Sequence, residues 1–531
     1  MMKHFRKAKK AIASLAVAGY VGFFGFGTAE AAPIMELTLE QSIDMALANN
    51  RNIKKTAEDQ SAAYWNHRQA RRQSGLNLSW NGTAYYRSGH WNDADVHDGA
   101  STYGLNSDRM FSNSVSVSFP LYTGGRIENN IEAAELGRDA ADLTLEATRQ
   151  GVKQQATSAY FQILQYRNLI QVNQEAVDTL QAHLDNVNAQ YRVGTVAKSD
   201  VLRSQVELAN QQQALVSARN NYDIAVATFN HIVGLPTDTI VDAKDNLSYT
   251  KYDLSLPRCT DYALIHRPDG IAAHRAWKQA EATMKASKAG YRPQVNAVVS
   301  RTWTGDTPFS SDYAKTTGRS SDGTNSGLQM SWPIFDNNVT EAQVQAAKAA
   351  MRKAEQVLYQ MQEEIRLDVR TAYLNLLAAE QNIHTTKVAV DQAQEDYKIA
   401  QVRYSAGVGT NLDVMDAEDK LIKTQTTYIT ALYDYNTSRA SLDQSMGLKV
   451  ELDVSKYYKE TIDDVFPVRP SSDTSMNLSA ADAGIVSPVV VHLEDAERPS
   501  QTVMSKSASA SVNAAPAAKN ASEAAAEAAE R

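Results

Sequence analysis

Residues 338–405 read NVTEAQVQAAKAAMRKAEQVLYQMQEEIRLDVRTAYLNLLAAEQNIHTTKVAVDQAQEDYKIAQVRYS, without one glycine or proline. A stretch this long with no residue that interrupts the backbone ladder predicts a single helix. At 1.5 Å per residue it would be about 100 Å long, far beyond a core helix of a compact domain. Val369, Leu376, Ile383, Val390, Tyr397 and Tyr404 recur every seven residues. A sustained heptad is the signature of coiled-coil packing. Ala406-Gly407-Val408-Gly409-Thr410 breaks the rod, and Val414, Leu421, Tyr428, Tyr435 and Leu442 resume the spacing. The rod therefore turns back on itself as an antiparallel helical hairpin.

The same pattern stands earlier in the chain. At an offset of 213, Phe119-Pro120-Leu121-Tyr122 matches Trp332-Pro333-Ile334-Phe335, Ala159-Tyr160 matches Ala372-Tyr373, and Gly194 matches Gly407. Ala156, Ile163, Ile170, Val177, Leu184 and Tyr191 are the first-half heptad, and Val193-Gly194-Thr195 is its turn. Val201, Leu208, Leu215, Tyr222 and Phe229 line the returning helix. The chain reads as an internal duplication. Its expected parts are a first repeat at 37–235, a connector at 236–255, a second repeat at 256–448 and a short extension at 449–469. A Ser-, Ala- and Asn-rich tail, 470–531, has too few apolar anchors to pack a core and is expected to be disordered.

Ahead of each hairpin the period changes from seven to two. Val115, Val117, Phe119 and Leu121 alternate with serines, Leu328, Met330, Trp332 and Ile334 alternate with Gln329, Ser331 and Pro333, and Leu76, Leu78 and Trp80 alternate with Asn77, Ser79 and Asn81. Val295, Ala297 and Val299 alternate in part. Short strands with one apolar and one polar face fit an outer-membrane barrel or a half-buried soluble sheet. Two polar segments, about 89–113 and 305–326, are the expected loops. His90 and His97 in the first read as solvated loop residues rather than metal ligands.

The ends of the chain bear on location. Lys3, Arg6, Lys7, Lys9 and Lys10 precede an apolar run and Ala29-Glu30-Ala31, the pattern of a cleaved export signal over 1–31. Removing it would make the chain about four units more acidic than its formal net charge of −8, which argues against nucleic acid as a partner. The single cysteine, Cys259, excludes a disulfide framework. No long uncharged apolar stretch follows the leader, so helical membrane spans are not expected. Four strands cannot close a barrel, and open edges in lipid cost several kcal/mol per lost hydrogen bond. Several chains must then share one barrel, and the strands alone allow two-fold or three-fold sharing. A soluble or surface-attached trimeric coiled-coil structural protein is the alternative.

The motifs, in order and in duplicate, resemble the TolC family of outer-membrane efflux proteins. The matches are Leu37-Thr38-Leu39-Glu40-Gln41-Ser42, Ala46-Leu47, Asn49-Asn50, Pro120-Leu121-Tyr122-Thr123-Gly124-Gly125, Pro333-Ile334-Phe335-Asp336, Tyr191-Arg192-Val193-Gly194-Thr195 and Arg403-Tyr404-Ser405-Ala406-Gly407. They cover about 37–450. The resemblance implies an α+β membrane protein, a homotrimer whose chains each give four strands to one transmembrane β-barrel in outer-membrane lipid. A long α-helical coiled-coil tunnel continues the barrel into the periplasm. It implies a passive exit duct for small toxic compounds or proteins, in a tripartite efflux pump or a type I secretion system. The partners would be a periplasmic adaptor and an inner-membrane transporter. No nucleophile elbow, phosphate loop or metal-ligand spacing points to an enzyme or a cofactor.

By the same resemblance, the periplasmic end is the gate. Asp413 and Asp416, spaced i, i+3, lie on one helix face and would form carboxylate rings that favour cations. Asp413 also reads as a helix-start residue that complements the dipole, as does Asp200. Asp200 and Tyr404 match positions that link neighbouring hairpins in the family, but Gly409 stands where the family's latch has an arginine. Val193, Gly194, Thr195, Ala406, Gly407 and Val408 match the turns that dock the adaptor, and glycine there also reverses the helix.

Overall fold

The computed structural model describes residues 35–86, 109–305, 308, 322–454 and 457. The expected leader, His90, His97 and the tail at 470–531 lie outside them. Two helices, α1 (Leu39–Asn49) and α2 (Arg51–Arg72), lead into β2 (Asn77–Tyr86) after a short β1 (Met35–Leu37). Strand β3 (Arg109–Tyr122) then runs into α3 (Arg126–Arg192), which turns back as α4 (Lys198–Val233). After β4 (Val241–Ala243) the order recurs: α5 (Leu256–His266), α6 (Pro268–Ser287), β5 (Gln294–Gly305), β6 (Asp322–Ser331), α7 (Val339–Ser405) and α8 (Asn411–Ser445). Helices α3 and α7 are 67 residues each and uninterrupted. No described helix is long and apolar enough to cross a membrane.

Helix propagation without breakers sets these lengths, and burial sets their rotation. Val369, Leu376 and Ile383 of the α7 heptad are buried, as are Tyr435 and Leu442 of α8. In the first hairpin Ala156, Ile163 and Leu184 meet the same fate, with Leu208, Leu215 and Phe229 opposite. Within the chain, α3 packs on α4, α7 on α8, and the hairpins meet through α3 and α8. Helix α2 lies on α3, and α6 bridges α3 and α7. The outer flanks of α4 and α7 keep apolar residues exposed, among them Val206, Val216, Leu367 and Val402.

The strands form one antiparallel sheet in the order β2-β3-β5-β6. Register puts Leu78, Val117 and Val299 in one row, with Phe119, Ala297 and Leu328 in the next. The opposite face carries Ser79, Ser116, Ser300 and Asn325, and the first two serines share a hydrogen bond of 2.8 Å. Strands β3 and β6 begin four residues earlier than the expected loop ends allow, and Trp303 faces Asp322 while Arg301 faces Thr324. Backbone pairing, which ignores side-chain polarity, extends the strands into the polar segments. Pro120 stands where the β3–β5 register shifts, a position that needs no amide donor.

A small parallel pair, β1 with β4, closes the first half around Tyr160, whose hydroxyl meets Asp245 at 2.7 Å. Three-residue strands carry no periodicity, so this pair was invisible within the expected connector. After α8 the chain is anchored on α3: the wholly buried Glu146 carboxylate accepts the amides of Val450 at 2.6 Å and Leu452 at 3.0 Å.

Candidate functional site

The candidate site is the pair of hairpin turns and the helix ends beside them. Helix α3 stops at Val193, and Gly194 takes φ 80°, a left-handed conformation that frees the chain to reverse. The Thr195 amide closes the turn on the Gln190 carbonyl at 3.0 Å. Helix α7 stops the same way, with Ala406 at its cap and Gly407 at φ 74°. Val193 and Val408 are 75% and 68% exposed, so each turn ends in an unburied apolar side chain. Thr195, Ala406 and both glycines are exposed as well. A Cβ at Gly409 would lie 3.0 to 3.1 Å from the backbone of Arg403 and Tyr404, so a larger residue there requires the turn to shift by a few tenths of an ångström.

Asp413 and Asp416 are both exposed on the first turns of α8. Asp413 completes a capping box: its carboxylate accepts the Thr410 amide at 2.9 Å, and its own amide donates to the Thr410 hydroxyl at 3.1 Å. Those bonds, with Arg403 nearby, hold the Asp413 carboxyl below the usual range. Asp416 makes no such bond. Asp200 accepts the Ala197 amide at 3.3 Å at the start of α4.

Tyr404 does not bond to Asp200. Its hydroxyl donates to Gln190 Oε1 at 2.7 Å, and its ring lies 5.4 Å from that of His183. Burial, then the Asp200 charge, pushes the phenol's pKa up. A second link runs through Asn411, whose Nδ2 donates to the Asp200 carbonyl and to Ser204 Oγ, each at 3.2 Å, while its Oδ1 meets His183 Nε2 at 2.6 Å. These bonds join α3 and α4 to α7 and α8 around an apolar cluster of Leu184, Val187, Val201 and Val414.

Sequence reasoning missed Gln190, His183, Asn411 and Glu418. Two of these had a legible signal: Asn411 and Glu418 interrupt the apolar stripe of Val414, Ala417 and Leu421 at helical spacing. Glu418 is buried, its Oε2 has no hydrogen-bond partner among the described residues, and burial with the nearby Glu207 raises its pKa to about 7. No cluster of metal-ligating side chains occurs among the described residues.

The arrangement brings together exposed carboxylates, apolar turns and polar bonds between the hairpins. The profile of the outer membrane efflux protein family matches residues 42–235 and 260–448. Outer membrane protein TolC of Salmonella enteritidis is 24% identical over 84% of this chain and 88% of its own. The alkaline protease secretion protein AprF of Pseudomonas aeruginosa is 25% identical over 50% of this chain and 55% of its own. The crystal structure of the outer membrane protein VceC of Vibrio cholerae superposes with a TM-score of 0.65 at 18% identity, over 77% of this chain and 96% of that one. This chain belongs to the outer membrane efflux protein family, and is an outer-membrane channel whose helical tunnel stands in the periplasm.

Proposed function

We propose that three copies of this chain assemble into one exit duct, each giving β2, β3, β5 and β6 to a shared twelve-stranded barrel in outer-membrane lipid. The observation that carries this reading is the open sheet. Among the described residues strands β2 and β6 have one partner each and one apolar face, so a neighbouring copy is needed at both edges. The exposed apolar flanks of α4 and α7 support side-by-side association, since adjacent copies would bury them against each other, and the count of three follows the family resemblance. The chain divides by this reading into a leader at 1–31, repeats at 37–235 and 256–448 joined at 236–255, an equatorial extension at 449–469 and the tail. Internal duplication is supported by the helix starts, since α3 and α7, like α4 and α8, begin 213 residues apart.

Substrate passes through without chemistry, and energy comes from an inner-membrane transporter through a periplasmic adaptor. The hairpin turns, Val193 to Thr195 and Ala406 to Val408, form the adaptor surface. Asp413 and Asp416 line the constriction, and Tyr404 with the Asp200 segment holds the closed state. Opening separates the two hairpins, a two-state change that adaptor binding biases. The test is the oligomer mass of the detergent-purified protein together with planar-bilayer conductance. A trimer giving small, cation-preferring channels supports the reading. A monomer or soluble rod without channel activity overturns it in favour of the coiled-coil structural protein.

A further inference from the structure

The chain as a whole is acidic, yet cations gather where the helices meet the sheet. In the last turns of α2 stand Arg68, Arg71 and Arg72, with no acidic residue from there to β2. Ahead of β5, Lys288 and Arg292 occupy the short segment after α6, again without an acid. Arg126 opens α3 just after β3. The packing order α2, α3, α6, α7 repeats the strand order β2, β3, β5, β6, so these residues share one level at the base of the sheet.

Arg71, Arg72, Arg126 and Lys288 are exposed, and none has an ion pair among the described residues. The acids at this level bond to neutral groups rather than to these cations. Asp336 accepts the Thr340 amide at 2.8 Å, Glu341 accepts the Tyr291 hydroxyl, and Glu128 accepts from Thr123 Oγ1 at 3.4 Å. Helix dipoles explain only part of the pattern. Arg71 and Arg72 suit a helix C-terminus, but Arg126 stands at an N-terminus, where an anion would be favoured.

Aromatic and apolar groups lie beside the cations. Trp65 and Tyr64 of α2 are exposed and pack edge to face, and the Arg68 guanidinium lies 5.2 Å over the Trp65 ring. Past β6, Ile334 and Phe335 are 86% and 84% exposed, and the Trp332 indole donates to the Tyr291 carbonyl at 3.2 Å. Amphipathic rings and long cationic side chains at the end of an apolar strand face match a membrane boundary, rings at headgroup level and charges on the phosphates.

We infer that this collar binds anionic phospholipid headgroups in the periplasmic leaflet of the outer membrane. The occupant follows from charge complementarity and from continuity with the apolar sheet face bearing Leu78, Val117, Val299 and Leu328. Each cation contributes to attraction toward an anionic surface, and added salt weakens it. The inference rests on the sheet's lying in that membrane.

The test is native mass spectrometry of the full-length detergent-solubilised protein, titrated with phosphatidylglycerol and separately with phosphatidylcholine. Wild type is compared with the triple variant Arg71→Gln, Arg72→Gln, Lys288→Gln and with its lysine and arginine counterpart, Arg71→Lys, Arg72→Lys, Lys288→Arg. Wild type should retain phosphatidylglycerol preferentially. The glutamine variant should lose about fivefold in that preference per charge removed, and the charge-conserving variant should keep it. Equal retention of the two lipids by wild type, or an undiminished preference in the glutamine variant, overturns the inference. So does displacement of phosphatidylglycerol by inorganic phosphate at equal concentration, which would reassign the collar to soluble anions. Planar-bilayer insertion, measured on the same preparations, separates the two failures. A channel that inserts without lipid preference removes only the collar, whereas a protein that never inserts removes the membrane reading beneath it.

Discussion

Tyr404 and Gln190 join the two helical hairpins across 214 residues of sequence, the phenol hydroxyl donating to the amide oxygen at 2.7 Å. The bond is partly buried, and Asn411 adds a second link one hairpin turn away. Tyr404→Phe with Asn411→Ala should loosen the contact by about 1 kcal/mol per lost bond, more where a buried partner stays unpaired. Single-channel recording should show larger or more frequent openings. An unchanged conductance would mean the lock does not hold the closed state.

Glu418 makes the same contact sensitive to pH. Its carboxyl pKa is raised from 4.5 to about 7 by burial first and second by Glu207 of α4, which faces it from the other hairpin, while Tyr397 of α7 lies near it on its own hairpin. The packed state thus keeps a proton that the separated state releases above about pH 4.5. Stability contributed by the contact is fullest in acid, falls as pH rises toward 7 and then levels. Thermal melting of the purified protein at pH 5 and pH 8 should show the loss, and Glu418→Gln should flatten it and raise the pH 8 midpoint. The half-buried Asp443, also raised to about 6, titrates in both proteins, so the difference between them isolates Glu418.

The two aspartates of α8 should separate by role. Asp416 caps nothing, so Asp416→Asn should reduce cation preference in reversal-potential measurements with the melting point unchanged. Asp413 also holds the Thr410 amide, and Asp413→Ala should cost about 1 kcal/mol of helix capping as well. Because that bond lowers its pKa, the Asp413 charge should persist into more acidic solution than an ordinary aspartate's. Unaltered selectivity in the double variant would remove both residues from the constriction.

Glu146 should be the anchor of the segment after α8. Glu146→Gln exchanges a buried carboxylate for a group with one acceptor, and the amides of Val450, Glu451 and Leu452 lose charge-assisted bonds. A loss of about 3 kcal/mol is expected. Limited proteolysis should then cut near 449–454 faster than in the wild type.

Two left-handed glycines should respond differently to alanine. At Gly447 a Cβ would lie 2.8 Å from the Arg267 Cα, whereas at Gly407 nothing stands within 4 Å. Gly407→Ala should cost only about 1 kcal/mol of backbone strain, and Gly447→Ala clearly more. A bulky residue at Gly407 should impair export more than barrel assembly. Melting curves and an export assay on the same variants decide both points.

Much of the architecture was legible because it rests on periodicity. A heptad without breakers gives long helices wherever it occurs, and a period of two gives strands with distinct faces. The absence of glycine and proline from 338–405, the alternation around Val117 and Leu328, and the offset of 213 need no tertiary information. The small β1–β4 pair was not legible, since three residues carry no period and the partners lie about two hundred apart.

From the sequence by itself came the hairpins, the sheet strands, the turns at Gly194 and Gly407, and the shared face of Asp413 and Asp416. All follow from local backbone preference and spacing. Only the tertiary structure decided which side chains lock one hairpin to the other. Tyr404 is buried and bonded to Gln190, while its repeat counterpart Tyr191 is exposed, although both occupy the same heptad position. The difference arises because Tyr404 packs into the cluster of Leu184, Val187 and Val201 from the first hairpin, a cluster that does not include Tyr191, and burial of a heptad position depends on what packs against it rather than on its place in the repeat.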